Sequence, residues 1–558
     1  MPHKPQNSIS RRTFIGGASL TGISTLALGS LIGCQPSAMP ATGSGADGPS
    51  GTSDGTSKAS VWDIEPLGEP AETITTKLCI VGAGGTGLSA GIQARQLGLE
   101  DILVIEKQPM TGGSFIGSEG LFAVGSHYQL EAGAHATSAE LIAQCMNYHH
   151  WVPDYALYRT FFDKTASTID WLEDLGVEFS HVQALGDSYP TWHIYKGSKH
   201  PGVEFMESMA AAAKKVDLQI ECNLGGKQII LDDDGKVAGL LAVRDDGTVI
   251  KIECQAVILG TGGYANNVEL TSYLTGNPPD FFNVAGTPGR DADGIKMGYA
   301  AGGALAKSPG TIQVTGPACR GSKWGKPVVA VTLQPLLWVN QDAQRYIGED
   351  MTLKNFTFSG TAMLNQRKVY AICDQAMIDR YVTGEGLQVP VGVYALAGEK
   401  LDGIDDPDLD FYAEVESLMD YSVFTAATAE ELAEKIGLDP QALAETIRTY
   451  NSYCETGVDL DFGKVADQLV PVLEANGPLY AFDCQDNYPT TCGGLKVTTK
   501  VEVVDKDGKI IPGLYAGGCD TGGFFGDAYD VGIAAGSTAS WAINSGRIAA
   551  ESAVEYLA

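Results

Sequence analysis

The sequence predicts an α/β protein built around a parallel, nucleotide-binding sheet. Three observations predict it: a glycine motif set between a strand and a helix, an acid that closes the next strand, and 69 glycines gathered largely in clusters that look like cofactor loops. Lys77-Leu-Cys-Ile-Val81 is a short apolar run with β-branched residues, as expected of a strand buried on both faces. Gly82-Ala83-Gly84-Gly85-Thr86-Gly87 follows at once. Leu88 to Leu97 reads as a helix stopped by Gly98, and Asp101-Ile-Leu-Val-Ile105 as a second strand ended by Glu106. Each residue type has a task. Gly82 permits the tight turn, Gly84 lets backbone approach a pyrophosphate, and Gly87 lets helix and strand pack closely. The helix N-terminus offers free N–H groups to phosphate. Glu106 is placed to accept hydrogen bonds from ribose hydroxyls.

The chain has 558 residues, enough for about two to four domains. It is 44% hydrophobic and 19% charged, ordinary for a protein with a large core. A formal charge of −31 excludes binding of nucleic acid or anionic lipid through a general electrostatic field. The eleven cysteines form no C-x-x-C, no haem-attachment motif and no ferredoxin-like run. Eight histidines, His149-His150 included, show no metal-binding spacing, so no metal site is expected.

Residues 1–33 read as an address. Ser10-Arg11-Arg12-Thr13-Phe14-Ile15 resembles a twin-arginine export signal, and the run from Phe14 to Gly33 is too rich in Gly, Ser and Thr for a convincing membrane span. Leu31-Ile32-Gly33-Cys34 resembles a lipobox, which predicts cleavage before Cys34 and lipidation of that cysteine. The alternative is an ordinary signal peptide cut near Ala-Met-Pro-Ala. Residues 34–71 begin with Gly, Ser, Thr, Asp, Ala and Pro and read as a flexible tether. The expected location is the outer face of the cytoplasmic membrane, with the protein held there by lipid.

Beyond Glu106 the motifs resemble those of the flavoprotein group that holds fumarate reductases and ketosteroid dehydrogenases. Glu106-Lys107-Gln108-Pro109-Met110-Thr111-Gly112-Gly113-Ser114, then Gly117-Ser118-Glu119-Gly120, resembles the loop that runs along the flavin. Ala256-Val-Ile-Leu-Gly260-Thr261-Gly262-Gly263-Tyr264-Ala-Asn266 resembles a strand motif of the group. Asp291-Ala-Asp293-Gly294 matches its D-G helix, and Ile511 to Gly518 its returning strand. The resemblance covers residues 72–558. It implies a Rossmann-like FAD-binding domain (72–309, returning at 491–558) with an inserted α+β capping domain (310–490), and a substrate cleft between them. It further implies FAD contacts from the cradle Gly82, Ala83, Gly84, Gly85, Thr86 and Gly87, and from Glu106 and Lys107. Further contacts are implied for Gly112, Gly113, Ser114, Glu119 and Gly120, for Thr261, Gly262 and Asp293, and for Cys519, Asp520, Gly532 and Ala535. A helix with its N-terminus near Val531 to Ala535 is expected to point that end at the flavin. In the cap, Thr428 and Glu431 form a capping box ahead of a helix ended by Gly437, and Asp439 to Tyr453 is the next helix.

The group's fumarate-binding pattern fails here. By the resemblance its substrate histidines fall on Thr315 and Thr490, its proton-relay pair on Val329 and Thr332, its general-acid arginine on Leu353, and its clamping arginine on Tyr529 or Asp530. Burying a dicarboxylate without these cations would cost several kcal/mol per charge. A neutral activated alkene, such as an enone or a steroid- or lactone-like substrate, is expected instead, reduced by hydride from flavin N5 and protonated by a protein acid. Tyr529 is the first candidate acid, then Asp530 and Lys354, with Thr315, Thr490 and Tyr346 lining the substrate. With no haem or iron–sulfur spacing, electrons would come from an external cytochrome or quinol pathway. Two alternatives stand beside this: a ketosteroid-type dehydrogenase running oxidatively, and a non-catalytic flavin-binding lipoprotein.

Overall fold

Four strands in a row, Ala256–Leu259, Leu78–Val81, Ile102–Glu106 and Gln219–Cys222, run parallel and in register, Leu259 beside Val81 and Val81 beside Ile105. The returning strand Ile510–Ala516 adds in parallel beyond Ala256–Leu259, and Glu502–Val504 closes that edge antiparallel. The Leu78–Val81 strand is buried at every residue because helices cover one face and a second sheet the other. The helices are Gly85–Gln96 and the C-terminal Ser537–Leu557, packed on each other. The second sheet has four strands in the order Glu72–Thr75, Val249–Glu253, Val237–Arg244 and Leu224–Leu231. This computed structural model describes residues 60–185, 189–197, 201–382 and 410–558. The leader, Cys34 and most of the tether lie outside the described residues, and no described helix is long and apolar enough to cross a membrane.

A separate sheet is organised by one ten-residue strand, Leu479–Tyr488. Phe282–Val284, Gly316–Cys319, Val369–Asp374 and Val423–Ala426 all pair with it, and Leu337–Asn340 pairs with Val369–Asp374. This sheet gathers strands from the segment expected to cap the cofactor, and one, Phe282–Val284, from the segment before it.

Local signals landed within a few residues. The glycine-motif helix starts at Gly85, three residues before Leu88, because Gly84 serves as its N-cap. Thr428 caps the helix Ala429–Ile436 and Gly437 ends it in the left-handed conformation. The reciprocal half of the box is shifted, since Glu431 accepts from the N–H of Ala427 rather than that of Thr428. Asp439 caps Pro440–Thr456. One expected helix start is corrected. The last helix begins at Ser537, not near Val531: Ile533 and Ala534 donate back to the Asp530 carbonyl in a local turn, and Gly536, at φ +78°, breaks the chain direction before the helix proper.

Candidate active site

The glycine motif sits at the C-terminal edge of the parallel strands, where open α/β sheets bind ligands. Its three glycines differ as their positions require. Gly82 has φ +102°, and a side chain there would strike the Gly260 carbonyl of the neighbouring strand end. A Cβ on Gly87 would fall onto the Gly82 carbonyl oxygen. A Cβ on Gly84 would meet only the Gly112 oxygen, at 3.7 Å. Gly84 therefore borders open space, at the N-terminus of a helix that no side chain caps. That is a cradle shaped for a phosphate. Gly112, at φ +121°, lies behind it and donates its N–H to the Ala83 carbonyl.

A single cavity runs from this cradle toward the capping sheet. It takes in about 1880 Å³ of space between protein atoms, part of it open to solvent. Of the residues expected to contact FAD, Gly82, Gly84, Gly85, Thr86, Glu106, Lys107, Gly113, Ser114, Glu119, Gly120, Thr261, Gly262, Asp293, Cys519 and Ala535 line it. The two carboxylate oxygens of Glu106 accept the N–H groups of Ala83 and Gln108, each at 2.8 Å. Lys107 is held by Asp291 at 2.7 Å and Asp293 at 2.6 Å, and Lys227 reaches Asp293 at 2.9 Å. The lysines hold the Asp293 carboxyl below its usual range despite burial. Glu119 has no side-chain hydrogen bond among the described residues, and burial alone pushes it up to about 8.

Asp520 is not on the wall. It is buried behind Thr261 and accepts the Thr261 N–H at 2.5 Å, the Gly263 N–H at 3.0 Å and the Thr261 hydroxyl at 2.9 Å. Burial raises its carboxyl to about 6, against those hydrogen bonds. It ties the returning strand to the Thr261–Gly263 turn. Ala83, Gly87 and Gly112 likewise shape the wall without lining it. Gly532 is not among the residues that line the cavity, and a Cβ there would meet nothing within 4 Å. It lies in the turn that replaced the expected helix start.

The far end of the cavity is walled by Trp192, Trp324, Phe356, Leu185, Leu333 and Val531, with Gln313, Thr315, Thr490 and Tyr529 supplying polar atoms. Thr315 is saturated: its hydroxyl donates to the Asn487 carbonyl and accepts from the Asn487 amide. The Thr490 hydroxyl lies 3.1 Å from the Cys519 sulfur. Tyr529 is 2% exposed and faces the cavity. Its hydroxyl accepts the Gly536 N–H at 3.0 Å, at the start of the 21-residue C-terminal helix. Burial pushes its phenol up to about 12, while the neighbouring Ser537 and Thr538 hydroxyls pull it down. Its backbone carbonyl accepts from the Tyr148 and Thr357 hydroxyls, both at 3.0 Å.

Three expected residues lie elsewhere. Asp530 is fully buried and does not line the cavity; its carboxylate accepts the Tyr158 and Ser537 hydroxyls. The Lys354 side chain is 53% exposed and pairs with Asp350 at 2.8 Å. Tyr346 is half-buried in the cap, its buried hydroxyl has no hydrogen-bond partner among the described residues, and it does not line the cavity. Several lining residues had no signal in the sequence, Trp192, Trp324, Phe356 and Arg290 among them. Arg290, 3% exposed, donates to the backbone carbonyls of Ala285, Thr287 and Pro489 and to the Asn266 side chain.

A glycine cradle at a parallel-sheet edge, continued by one cavity into an aromatic-walled chamber, defines a dinucleotide-dependent oxidoreductase. Residues 77–532 match the model of the FAD binding domain family, and the chain belongs to that family. Its cofactor is FAD, and it is an FAD-dependent oxidoreductase. The chain is 32% identical to a vinyl phenol reductase of Lactiplantibacillus plantarum over 492 residues, covering 86% of this chain and 96% of that protein. It is 28% identical to a cytochrome fumarate reductase of Shewanella frigidimarina, over 86% of this chain and 77% of that one. Among solved structures, the open conformation of a flavocytochrome c3 fumarate reductase superposes with a TM-score of 0.67 at 25% identity, over 88% of this chain and 79% of that one.

Proposed function

We propose that this protein reduces an activated carbon–carbon double bond in a neutral, planar, conjugated substrate, with electrons from an external cytochrome or quinol pathway. One observation carries the substrate class. The cavity's far end is aromatic, and the cations that line the cavity are already engaged, Lys107 by two aspartates and Arg290 by backbone carbonyls. A dicarboxylate placed there would lose its hydration without gaining a cation, a loss of several kcal/mol per charge. The named activity of the vinyl phenol reductase, a conjugated aryl alkene, fits such a chamber better than fumarate does.

Bound FAD in its reduced form supplies the hydride. The chain's own residues do the rest. Trp192, Trp324 and Phe356 stack against a flat substrate and exclude water. Tyr529 holds a proton at its hydroxyl, and the helix N-terminus, with the Gly536 N–H that already reaches that oxygen, stabilises the charge left when the proton departs.

The test offers FAD-loaded protein, reduced anaerobically with a viologen, a panel of enones, aryl alkenes, a steroid enone and fumarate. Turnover of a neutral conjugated alkene, with fumarate slower by a hundredfold or more, is expected. Comparable fumarate turnover would overturn the charge argument. Oxidation of saturated ketosteroids by an artificial acceptor, with no reductive turnover, would reverse the direction. Tyr529→Phe should lower kcat roughly a hundredfold with FAD content unchanged.

A further inference from the structure

Of the polar side chains at the far end of the cavity, Thr315, Thr490 and Tyr529 are already engaged. Thr315 donates to and accepts from Asn487, Thr490 stands 3.1 Å from the Cys519 sulfur, and the Tyr529 oxygen accepts the Gly536 N–H. Gln313 differs. It lines the cavity, and its side-chain amide has no hydrogen-bond partner among the described residues. The backbone fixes where that amide stands. Thr311 to Thr315 runs antiparallel to Asn487 to Cys492. The Cys492 N–H donates to the Thr311 carbonyl at 2.8 Å, the Gln313 N–H to the Thr490 carbonyl at 3.0 Å and the Thr315 N–H to the Asn487 carbonyl at 2.8 Å, with Ile312 paired to Thr491. Alternate residues of an extended chain face opposite ways. Ile312 and Val314, 3% and 1% exposed, therefore enter the hydrophobic core, and Gln313 and Thr315 face the cavity.

We propose that Gln313 is the specificity-determining residue of the chamber and binds a neutral oxygen substituent, hydroxyl or carbonyl, carried by the conjugated alkene. The inference rests on the reading of the chamber as the alkene site and adds the group by which that alkene is recognised. An amide presents an acceptor oxygen and two N–H donors, so it serves a hydroxyl in either sense and a carbonyl as donor. The indoles of Trp192 and Trp324, on the same walls, can only donate. An amide carries no charge, so it satisfies a neutral oxygen but does not neutralise a carboxylate. A hydrocarbon that fills the chamber without such an oxygen takes water from the amide and gives nothing back. That penalty is why a site built around a hydrogen bond discriminates more sharply than apolar walls such as Leu185, Leu333 and Val531 can. Loss of one hydrogen bond between neutral groups, with its partner left unpaired, is worth about tenfold to a hundredfold in affinity.

The experiment titrates oxidised, FAD-loaded wild type, Gln313→Leu and Gln313→Glu with two matched pairs of saturated ligands, following the flavin spectrum. The pairs are para-ethylphenol with ethylbenzene, and benzylacetone with butylbenzene. FAD content and melting temperature are measured beside each Kd. In at least one pair, Gln313→Leu should shift the ratio of the two Kd values by tenfold or more toward the hydrocarbon. A ratio cancels general changes in packing, as a double-mutant cycle does. Gln313→Glu keeps the acceptor and removes the donors, so it should retain the preference if the recognised oxygen is a hydroxyl and lose it if a carbonyl. Ratios within threefold of wild type in both pairs overturn the proposal, as does failure of wild type to bind either oxygenated ligand. If Gln313→Leu does not hold FAD, Gln313→Met takes its place. The reduced enzyme is then offered para-hydroxystyrene, benzylideneacetone and the rest of the alkene panel. A shifted ratio with no alkene reduced would sink the parent reading and leave recognition by Gln313 standing. Turnover with an unshifted ratio would sink the role of Gln313 alone.

Discussion

Replacing Asp520 with alanine should cost stability in a way that shrinks as pH rises. The carboxylate accepts the N–H groups of half-buried Thr261 and buried Gly263, and the Thr261 hydroxyl, whose oxygen accepts the Gly294 N–H. Alanine leaves the two N–H groups without that acceptor, at about 1–3 kcal/mol each, so about 2–6 kcal/mol in all. Against this stands the penalty of keeping a buried charge. Burial raises the carboxyl from 3.8 to about 6, which corresponds to about 3 kcal/mol. The sign follows from the raised folded value: the folded state holds this proton after the unfolded state has released it. The contribution of Asp520 to stability is therefore full below the unfolded value, declines between about 4 and 6, and is flat above. The penalty of Asp520→Ala should be about 2–6 kcal/mol near pH 4.5 and smaller by up to about 3 kcal/mol at pH 7.5. Urea unfolding of FAD-free protein at pH values between these limits measures it, and FAD titration should show weaker binding, since Thr261 lines the cavity. A penalty that grows with pH, or none at either end, would refute the reasoning.

Three further outcomes are expected. Gly84→Val should abolish FAD binding while leaving the fold intact, because the space beside Gly84 is bounded only at 3.7 Å by the Gly112 oxygen; a flavin spectrum of wild-type intensity after reconstitution would contradict it. Glu119 is raised to about 8 from 4.5, so the stability of the FAD-free protein should fall as pH rises through that interval; Glu119→Gln should flatten the slope between pH 6 and 8, and an unchanged slope in thermal unfolding would count against it. We also propose export and lipid anchoring: Cys34→Ser should release the protein from the membrane fraction and Arg11-Arg12→Lys-Lys should block export, which cell fractionation will decide.

What the sequence determined by itself was local and set by backbone demands. Gly82, Gly84 and Gly87 announce a cradle because no other residue leaves room for the turn, the phosphate and the helix contact. Glu106 announces a strand end, and Thr428 and Asp439 announce helix starts, since each serves N–H groups within a few residues of itself. Motif order also carried the α/β fold and its FAD. The tertiary structure alone decided where side chains point once distant segments pack. Asp520 meets Thr261 across 259 residues and became a suture rather than a wall. Lys354 turned to solvent, Tyr346 turned into the cap, and Arg290 and Trp192 arrived in the cavity without a motif to mark them. Tyr529 and Asp530, adjacent in the chain, were split between the cavity and the interior by one turn, whose shape depends on Gly536 in the left-handed conformation and on the helices packed behind it. A local pattern specifies what the backbone must do nearby; which of two neighbouring side chains faces a ligand is settled by what packs against the other.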